Sequence, residues 1–345
     1  MTKISFNFFK NLQMKIAVVL FNLGGPLNQK AVRPFLWNLF KDPHIIRLPA
    51  LLRYPLAFLI STLRTQKAKA IYRQIGGGSP LNEKTKAQAL ALEENLVEKG
   101  LQAKVFMCMR YAPPFTKEVV RAVRDSKPDA IILLPLYPQF STTTTKSSFH
   151  EWDKYAKDLL SITQKKCCYP LNEHFIKAHQ QLIANHIKTI KAPLKLLFSA
   201  HGIPLDIVES GDPYAFQVEA TVNAIMHDPL LASIPYQICY QSRVGPKKWL
   251  SPTIDEALHL CQKSNLGAVV VPISFVSDHS ETLVELDIQY KDRAKELSLC
   301  HYSRVEALGT DRLFIDSLAE SVLELVENTP QKRLCPPSFK ECGCM

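Results

Sequence analysis

Two stretches of the first half decide the fold: residues 15–26, KIAVVLFNLGGP, and residues 130–141, AIILLPLYPQFS. In each, β-branched and large apolar side chains follow one another without polar alternation, and the run ends in a proline-containing loop. A strand with one wet face alternates. An unbroken apolar strand is covered on both faces, which is the situation in a parallel sheet flanked by helices. The second half repeats the pattern at residues 195–204, KLLFSAHGIP, and residues 268–278, AVVVPISFVSD. The echo predicts an α/β fold of two similar doubly wound, Rossmann-like halves with parallel sheets, the break falling between about Pro170 and Pro193.

Working outward, further strands are expected at residues 103–109 and 236–240, and helical patterns lie between them. The clearest is NEKTKAQALALEENLVEKG, predicted to start at the capping residue Asn82 and to stop at Gly100. The expected organisation is an N-terminal α/β domain over 14–170, a C-terminal α/β domain over 171–330 whose last helix packs back on the first domain, and a cysteine-rich tail over 331–345. Met14 stands just before the first strand, so residues 1–13 are expected to be a disordered extension. In open α/β sheets ligands bind beyond the carboxyl ends of the strands, so the four loops quoted above should border a cleft between the halves.

The 345 residues are 46% hydrophobic and 21% charged, values of a globular chain that exclude disordered, collagen-like and disulfide-scaffold classes. A net charge of +10 favours anionic partners. The basic residues are dispersed and no nucleic-acid-binding motif is visible, so a nucleic-acid partner is not expected. The apolar stretch 48–60 is interrupted by Pro49, Arg53 and Pro55 and falls short of the ~20 apolar residues of a membrane span. The N-terminus shows no apolar signal core or small-residue cleavage site, which places the protein in the cytoplasm by expectation. Nine scattered cysteines, an odd number, then argue for reduced thiols or a metal site over a disulfide framework.

Four loops carry candidate chemistry. His201 stands at a strand end, followed by Gly and Pro that turn the chain; it reads as a satisfied structural histidine or as a functional one. Asp278, Glu281 and Glu285 share a helix face at spacings of three and four. They read as a capping box, with Asp278 at the N-cap and Glu281 at N3, or as carboxylates that hold a cation or relay protons beside His201. Residues 72–81, YRQIGGGSPL, lack the spacing of a nucleotide loop. Their glycines are expected to let backbone approach a flat ligand, with Arg73 beside it for an anionic substituent. The hydroxyl-rich run after Tyr137, from Ser141 to Ser148, reads as a turn and helix cap, while Tyr137, Phe140, Tyr111 and Trp249 would wall a flat, partly apolar anion.

Taken together and in chain order from Ile16 onward, FNLGGP (21–26), YRQIGGGSPL (72–81), MRYAPP (109–114), LPLYPQFSTTTT (134–145), SAHGIP (199–204), GDPY (211–214), CYQSRVGPKKWLSP (239–252) and SFVSDHSETLVELDIQY (274–290) resemble the ferrochelatase family. These enzymes insert ferrous iron into a porphyrin in the final step of haem biosynthesis. The resemblance implies a chelatase-like fold with an active-site cleft between the halves, and Fe2+ and protoporphyrin IX as substrates. It implies that His201 and Glu281 are the metal-site and proton-handling pair, on opposite sides of the macrocycle. By the same resemblance Asp278, His279 and Glu285 support the carboxylate side, and Tyr72, Arg73, Arg110, Tyr111, Tyr137, Ser141 and Trp249 line the porphyrin pocket.

The chemistry such a reaction needs agrees with the residue types. Two pyrrole N–H protons must leave a macrocycle that is not acidic at neutral pH, which asks for a base near the ring centre; we assign that role to His201. Hydrated iron must shed water onto ligands that bind firmly enough to guide it and weakly enough to release it; Glu281 suits that role and a proton relay. The alternatives are a coproporphyrin or other tetrapyrrole chelatase, and a non-catalytic haem or porphyrin carrier, which would need no proton route. The sequence leaves oligomeric state open.

The tail offers Cys335, Cys342 and Cys344 in a C-x6-C-x-C spacing, either free surface thiols or ligands that need a fourth from elsewhere. It resembles the tail of bacterial ferrochelatases that carry a 2Fe–2S cluster on C-terminal cysteines plus one internal cysteine. Phe140-Ser141-Thr142 stands where the animal enzymes have that internal cysteine, so Cys167 or Cys168 is the expected fourth ligand, with structural zinc as the alternative. Residues 35–63 are expected to form two core helices. The resemblance makes the same region an apolar lip over the porphyrin entrance, able with the +10 charge to rest peripherally on an anionic inner membrane.

Overall fold

The computed structural model describes residues 14–344; the expected N-terminal extension, 1–13, lies outside the described residues. Among the described residues, eight strands form two four-stranded sheets. The first contains β1 (Lys15–Asn22), β2 (Gln102–Met109), β3 (Ala130–Pro135) and β4 (Thr163–Lys165) in the order β2-β1-β3-β4. The second contains β5 (Leu194–His201), β6 (Tyr236–Gln241), β7 (Gly267–Pro272) and β8 (Tyr302–Arg304) in the order β6-β5-β7-β8. Every pairing is parallel, and the two orders are the same. Every residue of β3 and β7 is buried, as unbroken apolar runs require. The short edge strands, Thr-Gln-Lys and Tyr-Ser-Arg, carry no apolar run and escape a reading by pattern.

The chain divides into two compact units. One takes the described residues through Tyr169 together with Phe314–Arg333 and the chain end from Gly343; the other takes Pro170–Leu313 and Leu334–Cys342. The core of the first sets Phe21, Val119, Val123, Leu133 and Trp152 together, with the Phe21 and Trp152 rings edge to face at 6.2 Å. The core of the second sets Leu197, Ile254, Leu258, Val270 and Leu286 together.

Helix Leu81–Glu98 begins after Pro80, with Asn82 in its first turn rather than at its cap. The Asn82 amide is drawn instead into loop clamping: its Oδ1 accepts the Gly25 N–H at 3.2 Å and its Nδ2 donates to the Pro113 carbonyl at 2.7 Å. The predicted stop at Gly100 is a left-handed cap. Its N–H reaches the Val97 carbonyl at 2.8 Å and the Leu101 N–H reaches that of Leu96 at 3.0 Å.

Residues 35–63 do not form two core helices. Val32–Phe40 buries Val32 and Leu36, but Ala50–Arg73 buries only Ala57, Ser61, Thr65 and Tyr72. The first three lie four residues apart and make a narrow seam of small side chains. The large apolar residues are turned to solvent, with Leu51 84% and Leu63 71% exposed and Leu52, Phe58 and Leu59 more than half exposed.

After β3 and again after β7 the chain enters a π-helical segment, Thr142–Lys146 in the first unit and Glu281–Tyr290 in the second. Both lie at the carboxyl edge of the sheet beside the strand where the order reverses, the place where open α/β sheets present their chemistry.

Candidate active site

In the second unit β5 and β7 are neighbours, so the loops that leave their carboxyl ends converge. His201 is the last residue of β5 and Glu281 opens the π-helical segment after β7. His201 Nδ1 and Glu281 Oε2 are 2.9 Å apart. The expectation that these two side chains flank the macrocycle from opposite sides is therefore overturned. Adjacent strands deliver them to one hydrogen bond, and no ring fits between them.

An ionised carboxylate only accepts, so Nδ1 carries the proton and Nε2 keeps its lone pair. Burial by itself would lower the His201 pKa; the Glu281 charge and hydrogen bond, with help from Glu285, outweigh it and leave it raised. Burial would raise Glu281, but the His201 charge and hydrogen bond, with the nearby His279 ring, hold it well below the usual carboxylate range. The pair is not sealed, since the His201 side chain is 39% exposed and that of Glu281 29%.

Asp278 does not cap a helix. The segment starts after Ser280 with no side-chain cap, and Asp278 Oδ1 instead accepts Arg304 Nη1 at 2.9 Å. The same guanidinium takes both oxygens of Asp287 at 2.7 Å, so one arginine, 8% exposed, grips carboxylates on either side of Glu281. His279 lies with its Nε2 3.8 Å from Glu281 Oε2 and its ring against Phe275 at 4.8 Å. Glu285 accepts from the Ser242 hydroxyl at 2.6 Å, the Ser242 N–H at 3.0 Å and Gln241 Nε2 at 3.1 Å. Burial and the Glu281 charge nevertheless keep its pKa raised. The site thus joins a carboxyl whose pKa is raised to one, four residues away, whose pKa is depressed, with an imidazole beside them. Trp249 lies on the loop that runs along residues 203–205, bonded through Leu250 N–H to Ile203 and through Leu205 N–H to Lys248.

In the first unit the porphyrin-wall residues stand at different depths. Arg73 is exposed at the last turn of its helix. Tyr72 is buried against Val32 and Leu36, Tyr137 lies in the main core, and Ser141 is spent capping the π-helical turn through the Thr143 N–H at 3.2 Å. Arg110 Nη2 donates to Asp42 Oδ2 at 2.7 Å, and the Tyr111 hydroxyl donates to the same oxygen at 2.9 Å. Ser147 Oγ donates to it as well and accepts from Arg110 Nε at 2.8 Å. Of the three glycines, Gly78 serves the chain itself: a Cβ there would stand 2.4 Å from the Leu27 carbonyl oxygen, and the Ser79 N–H closes on the Pro26 carbonyl at 2.7 Å. Gly76 and Gly77 have no comparably close neighbour among the described residues.

Three hubs carry no signal in sequence: Asp42, Arg304, and the Gln241-Ser242 pair. Each is defined by partners many residues away, and none sits in a periodic pattern. Ser242 alone leaves a trace, a positive φ of 65° that no residue pattern announces.

Cys167, Cys342 and Cys344 bring their sulfurs within 4.8 Å of one another, a separation suited to thiolates sharing a metal centre. Neither Cys168 nor Cys335 is in that group. Cys335 is buried and accepts from Gln217 Nε2 at 3.1 Å. Gly343 sits where a Cβ would lie 2.6 Å from the Phe140 ring and 3.1 Å from Cys167 Sγ, so the C-x-C turn needs a glycine at its centre. Among the described residues no helix is long and apolar enough to cross a membrane.

The family model for ferrochelatase matches residues 15–326. A curated ferrochelatase of Caulobacter vibrioides is 49% identical over 96% of this chain and 98% of its own, and one of Rickettsia bellii is 46% identical over 96% and 95%. Among solved structures, SirB from Bacillus subtilis with Fe3+ superposes with a TM-score of 0.56 at 13% identity, covering 92% of this chain and 97% of that one. That last likeness shows the fold.

Proposed function

The chain belongs to the ferrochelatase family, lyases that insert ferrous iron into protoporphyrin to form protohaem and release two protons, and on that premise we propose how its residues divide the work. His201 is the base: its Nε2 takes the pyrrole protons one at a time while Nδ1–H donates to Glu281. The neighbouring carboxylate strengthens the base and holds the imidazole in one tautomer. Glu281 guides the incoming iron and relays each proton from His201 Nδ1–H towards Glu285, whose raised pKa suits it to carry one. Asp278 and His279 keep Glu281 in place, the former through Arg304. The observation that carries this reading is the 2.9 Å contact between His201 and Glu281, because a carrier of finished haem needs no such couple.

The porphyrin is recognised by Arg73, Arg110 and Trp249, with Tyr72, Tyr111, Tyr137 and Ser141 shaping the wall from behind. Tyr72, Tyr111, Tyr137 and Ser141 are buried and held in place, Arg73 stands at the surface, and Arg110, bonded to Asp42, is offered for its charge. An anaerobic absorbance assay with protoporphyrin and ferrous iron tests the assignment. The free-base bands should collapse into a haem spectrum, and His201→Ala should abolish that collapse while porphyrin still binds. Collapse at an unchanged rate in the variant would remove His201 from the mechanism.

Cys167, Cys335, Cys342 and Cys344 are the proposed ligands of a 2Fe–2S cluster. The grouped thiols support Cys167, Cys342 and Cys344 and favour Cys167 over Cys168; Cys335, outside the group, is included for its place in the tail spacing and its burial. When bound, the cluster supplies a one-electron redox centre and a covalent tie for the tail. The apolar face of Ala50–Arg73 together with the +10 charge supports peripheral contact with an anionic membrane, from the cytoplasmic side.

A further inference from the structure

We propose that His44 and His150 form a separate site for a first-row divalent cation on the first unit. His44 Nε2 and His150 Nδ1 face each other at 2.9 Å, with the ring planes at 80°. Two nitrogens bound to one first-row ion at ~2.05 Å stand ~2.9 Å apart when they subtend a right angle, and ~3.3 Å apart at a tetrahedral angle. The hydrogen bond between the rings sets the observed spacing, and it already holds the two nitrogens within the bite of one ion.

The frame that presents the two rings is fixed without the ion. The His44 N–H donates to Asp42 Oδ1 at 2.8 Å, and the Ile45 and Ile46 N–H groups close the turn on the Asp42 carbonyl at 3.1 and 3.0 Å. Arg47 Nη2 ties the same loop to Thr142 Oγ1 at 2.9 Å. His150 projects from helix Ser147–Tyr155. Binding therefore has little backbone to order, which is where a two-ligand site usually loses affinity.

The present hydrogen bond, at a partly exposed position, is a modest competitor. One of the two facing nitrogens carries a proton; on binding, that proton moves to the other nitrogen of the same ring, and both lone pairs then point at the ion. The positive charges of Lys146 and Arg110 nearby keep the site from holding a cation tightly, and water fills the remaining positions. The ion would clip residue 44 to residue 150, and so brace the turn that carries Asp42.

The site is tested by titrating Ni2+ calorimetrically into the chelator-treated, thiol-reduced full chain. His44→Ala and His150→Ala should each remove one equivalent relative to the unaltered protein, or weaken it on the order of 100-fold through loss of chelation. The double variant should remove no more than either single one. Ni2+ held by the tail cysteines or by the His201 cluster is common to all variants and cancels in the difference. His150→Gln keeps a hydrogen-bonding partner for His44 without an imidazole, so it should lose the equivalent while the ion-free Tm stays unchanged. Unchanged stoichiometry and affinity in the single variants overturn the proposal, as does retention of the equivalent at unchanged affinity in His150→Gln. Loss of two equivalents in the double variant would also overturn it, since each histidine would then serve a site of its own.

Discussion

Arg110 and Asp42 form an ion pair at 2.7 Å in which the carboxylate side chain has no solvent exposure and the guanidinium very little. Because Tyr111 and Ser147 donate to the same oxygen, Asp42 holds one wall of the proposed porphyrin pocket in register. Removing one member of a buried pair leaves the other charged and unpaired, at a cost of about 3–5 kcal/mol. Asp42→Ala should therefore lower stability by about that much in chemical denaturation, and weaken porphyrin binding followed by fluorescence. A loss below about 1 kcal/mol would mean that solvent replaces the carboxylate at little cost.

Glu281→Gln keeps the shape of the side chain and removes its charge. We expect kcat to fall by about 10²–10⁴, the range of a lost general acid–base partner, with the porphyrin dissociation constant unchanged. Steady-state rates over a series of ferrous iron concentrations separate the two roles. An increase in the iron KM marks metal guidance, and a fall in kcat alone marks the proton relay.

The same pair sets a pH window. His201 is raised above its ordinary 6.5, so its share of stability is complete below that value and is lost as pH climbs through the raised pKa. Glu281 is held below its ordinary 4.5, so its share is complete above that value and is lost as pH falls through the depressed one. The contribution is greatest between those two ordinary values. The difference in Tm between the unaltered protein and Glu281→Gln should thus be largest near pH 5.5 and shrink toward pH 9. A difference that grows with pH would contradict the assignment of charges. Because both side chains are partly exposed, the effect should also shrink in high salt.

An anaerobic preparation should be coloured by ligand-to-iron charge transfer, and Cys342→Ser or Cys167→Ser should bleach it. Cys168→Ser should not, because its thiol lies outside the sulfur group. A colourless protein containing zinc would replace the iron–sulfur reading with structural zinc.

Leu51→Asp and Leu63→Asp place charge on the exposed face of Ala50–Arg73, where neither side chain supports the core. Folding should change by no more than about 0.5 kcal/mol. Sedimentation with phosphatidylglycerol vesicles at low salt should fall several-fold. Equal sedimentation of both variants and the unaltered chain would exclude that face as the contact.

What the sequence disclosed was governed by burial on both sides of a sheet. Ile131 to Leu134 and Val269 to Val271 could be read directly because no polar residue fits there. Thr163–Lys165 and Tyr302–Arg304 could not, since an edge strand of three residues needs only hydrogen bonds to its neighbour. The site was visible as a set of residue types and invisible as an arrangement. His201 and Glu281 stand 80 positions apart, and only the pairing of β5 with β7 shows that they touch. The capping-box reading of Asp278 and Glu281 failed for a related reason: Arg304 and His201, both distant in sequence, compete for those carboxylates and win. Phe35 to Leu63 misled because apolar content signals burial only when something packs against it, and the seam at Ala57, Ser61 and Thr65 is too narrow to cover the leucines.

The two π-helical segments make chain length itself a constraint. In an α-helix each residue turns the backbone by ~100°, so deleting one residue from Glu281–Tyr290 would let the segment relax to ordinary helix. Everything after the deletion would rotate by about that angle. Glu285 would swing away from Ser242 and Asp287 from Arg304, although no named side chain had been altered. Substitution can be absorbed at many places along this stretch. An insertion or deletion cannot, and natural variation in length should collect in the loops on the far edges of the sheets and stay out of these two turns.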